Sequence, residues 1–153
     1  MLKVLGPCLL FVFSQICFAS WNLHKKYDDV SIYKSKKGTR LTVRSSASES
    51  RGEKFTKDLL KKLKKDKEKM LAMIGVEDWK ISKTNLKTTD GVTSVRLAGS
   101  YMDKTQKIVH FVEYHYYSND KKLQLLLTNR SKGLVERDSK PSNIKRFRNE
   151  HSI

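Results

Sequence analysis

The chain has 153 residues, a length that favours one domain and can bury a core without disulfides or a structural metal. Its two cysteines, Cys8 and Cys17, both precede Ala19, which argues against a disulfide-stapled mini-domain and a thiolate zinc site. Thirty-two Lys and Arg against sixteen Asp and Glu give +16, a field that draws polyanions, anionic lipid headgroups or an anionic envelope, unless it serves solubility alone.

Residues 1–19 read as a cleavable export signal. Lys3 supplies the positive start, Val4 to Phe13 form an apolar run broken by Gly6 and Pro7, and Cys17-Phe18-Ala19 offers small residues for cleavage after Ala19. The run is too short for a membrane span and no second one follows it. Ser14-Gln15-Ile16 lacks the small residues of a lipoprotein site, so soluble export to the periplasm or the exterior is expected.

Residues 20–29 read as a lead-in and 30–149 as one α+β domain, with 150–153 a tail. Val30 to Tyr33 and Thr39 to Arg44 are expected as strands, joined through a polar segment containing Gly38. Ser50 and Glu53 have capping-box spacing before a long helix, about 51–74, which Gly75 ends. Phe55, Leu59, Leu63, Met70 and Ile74 form its expected buried face, interrupted at Asp66 and Lys67. The period then becomes two: Trp79 to Lys87, Val92 to Met102, Ile108 to Tyr117 and Leu123 to Thr128 are expected as strands of an antiparallel meander. From Asn129 to Asn143 the chain is polar, and Ile144 and Phe147 suit a short terminal helix. The expected fold is α+β: an antiparallel sheet of β-β-α-β-β-β order packed on one long helix, with an optional short C-terminal helix.

This order, with His110 to Tyr117, Leu123-Gln124-Leu125-Leu126-Leu127 and Ile144-Lys145-Arg146-Phe147, resembles the PsbP-like and DcrB-like exported or lumenal domains over Val30 to Phe147. The resemblance implies a binding or assembly module rather than an enzyme, and transfers no individual site residue.

Three groups of residues carry candidate chemistry. Lys57, Lys61, Lys65 and Lys69 form an i,i+4 row, widened by Lys62 and Lys64 and set about 200° from the Phe55/Leu59/Leu63 row. Each like-charge pair costs roughly 0.2–0.5 kcal/mol in an isolated helix. The row reads as an anion-binding surface or as a solvated charged face. Glu113 and His115 share a strand face and could form an acid–base pair; the competing reading is a polar outer sheet face. His110 and His115 leave opposite faces, so no metal site is expected there. Tyr101, Tyr114, Tyr116 and Tyr117 either line an aromatic groove or fill the core.

No phosphate-cradling loop, nucleophile elbow or helical His pair occurs, and no cofactor is expected. The sequence thus favours an exported, basic, noncatalytic module that meets an envelope component or partner protein. The alternatives are a charge-driven effector directed at a polyanion or membrane, with nucleic acid bound only nonspecifically, and a small enzyme acting on an anionic substrate.

Overall fold

The computed structural model describes residues 20–48, 53–118 and 120–153, with residues 53–57 described by their backbone alone. The export signal, the Ser50 cap and the side chains of Phe55 and Lys57 lie outside the described residues.

Among the described residues seven strands form one sheet: β1 Trp21–Lys26, β2 Val30–Ser35, β3 Arg40–Ala47, β4 Glu77–Thr89, β5 Val92–Met102, β6 Ile108–Tyr117 and β7 Lys121–Asn129. Their spatial order is β1-β2-β3-β7-β6-β5-β4, with every neighbouring pair antiparallel. Three helices accompany them among the described residues: α1 Glu53–Met73, α2 Lys132–Asp138 and α3 Pro141–Glu150.

The expected layout of a smaller sheet packed on one long helix is therefore wrong. The sheet dominates, helices lie on both of its faces, and α1 meets it through one narrow row at the β4–β6 side. The lead-in proved to be strand β1, and the polar stretch after β7 holds a helix, α2.

Alternation decides which face each side chain joins. Leu41 and Val43 of β3, with Leu123, Leu125 and Leu127 of β7, face Val135 of α2 and Ile144 and Phe147 of α3 in the larger core. Trp21 closes its edge, its Nε1 donating to the Asn143 carbonyl at 3.1 Å. Val95 and Leu97 of β5 and Phe111 and Tyr117 of β6 face Leu59 and Leu63 of α1 in a second core. Strand β6 is apolar on both sides because each side has its own core.

Asp138, fully buried in α2, accepts from Ser35 Oγ at 3.2 Å and from Arg137 Nε at 2.8 Å, which ties the helix to β2. Asp90 and Gly91 both adopt positive φ, 52° and 75°, as the two-residue turn of the β4–β5 hairpin requires. That hairpin carries one wall of the site below.

Candidate functional site: an arginine and tyrosine groove

The even-numbered side chains of β6 point to the α2/α3 side of the sheet, and there Tyr114 and Tyr116 stack with centroids 5.8 Å apart and planes 9° from parallel. Arg96 crosses from β5, its Nε 3.3 Å from Tyr114 Oη and its Cζ 5.9 Å from that ring. Arg148 comes down from α3 with Cζ 4.8 Å from the Tyr116 ring. Tyr114 Oη in turn donates to the Ser139 carbonyl at 3.0 Å, so the ring is fixed from both ends. Between these groups and the β4–β5 hairpin runs a groove of about 540 Å³, whose far wall includes Lys87, Val92 and Pro141.

Charge makes the groove distinctive. Among the described residues neither Arg96 nor Arg148 is paired with a carboxylate. Arg148 Nε is buried with no hydrogen-bond partner. Asp90, in the hairpin turn, is the one acidic residue of the lining. Burial pushes the Tyr116 hydroxyl up to about 12, Tyr114 adding to the effect and Arg148 opposing it, so Tyr116 stays a neutral surface at physiological pH. A guanidinium beside an aromatic ring can still offer its terminal N–H donors to a carboxylate or phosphate, while Arg96 Nε is engaged by Tyr114 Oη and Arg148 Nε is buried.

Glu113 and His115 go elsewhere. They share a face as expected, but it is the α1 face, and their side chains are 4% and 6% exposed. The polar outer face that competed with the catalytic reading is overturned: this face is covered. His115 Nε2 donates to Glu113 Oε1 at 2.9 Å, and Gln124 Nε2 of β7 donates to the same oxygen at 2.5 Å. Lys67 Nζ of α1 pairs with Glu113 Oε2 at 2.7 Å, off the hydrogen-bond line, and sits 4.7 Å above the Phe111 ring. Burial by itself would raise the Glu113 carboxyl; the His115 bond and the Lys67 charge outweigh it and hold the group down at about 2. This is an ion pair sealed beneath a helix, with its acid and base consumed by one another.

Lys67 also corrects the helix face. The buried row is Leu59, Leu63, Lys67 and Leu71, while Met70 and Ile74 are exposed. The residue that broke the apolar stripe is part of it, its charge matched from the strand below.

The lysines Lys61, Lys62, Lys64, Lys65 and Lys69 are all exposed on α1. Of the four tyrosines, Tyr114 and Tyr116 line the groove; Tyr101 and Tyr117 face the α1 side, where Tyr117 is buried. His110 points away from His115, into a small cleft beside Lys132 and Glu136 of α2. Sequence reasoning missed Arg96, Arg148 and Lys67. Arg96 stood among alternating apolar residues of β5, and only the register of the folded sheet sets it opposite Tyr114.

No family model matches the chain, and no curated protein matches it. Among solved structures, a protein of unknown function from Pseudomonas aeruginosa, described as a putative regulator, is similar at a TM-score of 0.44 and 12% identity, over 86% of this chain and 91% of that one. That likeness is too distant to assign an activity.

Proposed function

We propose that this protein is a noncatalytic binding module of the cell envelope or exterior, in the manner of the PsbP-like and DcrB-like domains it resembles, and that it holds an acidic segment of a partner protein in the Arg96–Arg148 groove. The observation that carries this reading is the pair of carboxylate-free guanidinium groups braced on stacked tyrosines along one groove. Holding two like charges over one cleft is unfavourable until an anion joins them, and charge-assisted hydrogen bonds to Arg are the strong kind. The enzyme reading loses its candidates, since Glu113 and His115 are spent on each other and on Lys67 beneath α1.

Calorimetric titration with a hexaglutamate peptide at low and high salt tests the proposal. Arg96→Gln and Arg148→Gln should each weaken binding about tenfold or more, because hydrogen bonds to charged groups contribute about 1.5–3 kcal/mol. Unchanged affinity in the Arg96→Gln, Arg148→Gln double variant, with its melting temperature also unchanged, would remove the groove as the binding site.

A further inference from the structure

On the opposite side of the sheet, α1 presents a second surface with a different composition. Lys61, Lys65 and Lys69 follow one another at i,i+4, and the next residue of the same row is Met73, 86% exposed. The row spans about 18 Å along the helix. Ile74 stands beside Met73 at 47% exposed, and Trp79 follows just past the Gly75 turn at 37%. Gly75, at φ 67°, ends the helix there, its N–H donating to the Ala72 carbonyl at 3.1 Å. Among the described residues none of the three lysines is in a salt bridge, although exposed Asp58 and Asp66 border the row.

We infer that this face docks the protein on an anionic lipid bilayer. Lysine ammonium groups meet lipid phosphates while their stems lie along the headgroup layer, and Met73 and Ile74 enter the acyl boundary at one end. A nucleic acid or other polyanion would use the lysines and leave Met73 and Ile74 in water; the bilayer uses both halves of the surface. The protein lies on the membrane rather than across it: among the described residues no helix is long and apolar enough to span.

The test is co-sedimentation of the full chain with vesicles of phosphatidylcholine alone and of phosphatidylcholine mixed with phosphatidylglycerol. Binding is expected only to the anionic vesicles and should fall with salt. Lys61→Gln, Lys65→Gln and Lys69→Gln together should weaken it at least tenfold, since each lysine near an anionic surface contributes about a fivefold effect. Met73→Ser with Ile74→Ser should also weaken it severalfold, at constant melting temperature. The groove variant Arg96→Gln should leave it unchanged, which separates this inference from the peptide-binding proposal. Binding that survives both sets of α1 substitutions would place any membrane contact elsewhere, the apolar residues before Ala19 included, and overturn the inference. Lysine-dependent binding indifferent to Met73 and Ile74, and equalled by a single-stranded oligonucleotide, would replace the bilayer with a polyanion.

Discussion

Lys67 and Glu113 show how a charge can occupy a core position. Both are buried, and their partners are Phe111, His115 and Gln124. Removing one member of such a pair strands the other in a medium that solvates it poorly. Lys67→Met should therefore cost about 3–5 kcal/mol by urea denaturation at neutral pH. The Lys67→Met, Glu113→Gln double variant should recover part of that loss. The pH dependence has a definite sign. Glu113 is held at about 2, below its ordinary 4.5, so its stabilising contribution is complete above that ordinary value and is lost as pH falls toward 2. In Lys67→Met the carboxyl loses its cation, and the acid limb of the stability curve should move to higher pH. A loss below about 1 kcal/mol with an unmoved acid limb would show that His115 and Gln124 suffice to hold the carboxylate.

At the scale of elements, closeness between strands is enforced at Gly99. A Cβ there would collide with the Lys80 carbonyl oxygen and come within 2.9 Å of the Phe111 ring. The neighbouring β4 register shifts twice, between Glu77 and Lys80 and between Ile81 and Lys83, so that the strand lies unusually close at this point. Gly99→Ala should lower stability by about 1–3 kcal/mol, and amide exchange should rise first in β4, the edge strand. Exchange unchanged in β4 would mean that the bulge absorbs the methyl group. The elements legible in the sequence were those with a strong period. β7 alternates along Leu123, Leu125 and Leu127, β5 along Val95 and Leu97, β6 is a continuous β-branched and aromatic run, and α1 announces itself by Leu59 and Leu63 at one end and Gly75 at the other. β1 escaped because an edge strand exposing all but Trp21 has no alternation to read. α2 escaped because Gly133 and its charged residues mask Val135, its one buried apolar side chain. The groove escaped for another reason: Arg96 and Arg148 belong to β5 and α3, and only the folded sheet sets them side by side.

The molecule as a whole has two faces of unlike chemistry. The α2/α3 side carries arginines on tyrosines in a groove; the α1 side carries lysines ending in exposed Met73 and Ile74. If both proposals hold, a membrane-docked copy turns its groove toward the aqueous side, where an acidic partner can reach it. The proposed envelope location rests on reading residues 1–19 as an export signal, and on that reading the intact mass of the protein recovered from its native source should correspond to a chain beginning at Ser20. A mass that retains Met1 to Ala19 would overturn cleavage after Ala19.

The β3–β7 seam has a consequence for how the chain comes into being. Strands β1 to β3 form one local hairpin series and β4 to β7 another, and within the sheet they are joined by the β3–β7 pairing, which runs from Arg40 opposite Thr128 to Ala47 opposite Lys121. A ribosome delivers β3 early and β7 near the end. Until then Leu41 and Val43 have no cover on the sheet, and one edge of β3 offers its backbone to any strand that passes. The sheet cannot close until β7 has emerged, so β3 keeps an open edge through most of the chain's synthesis.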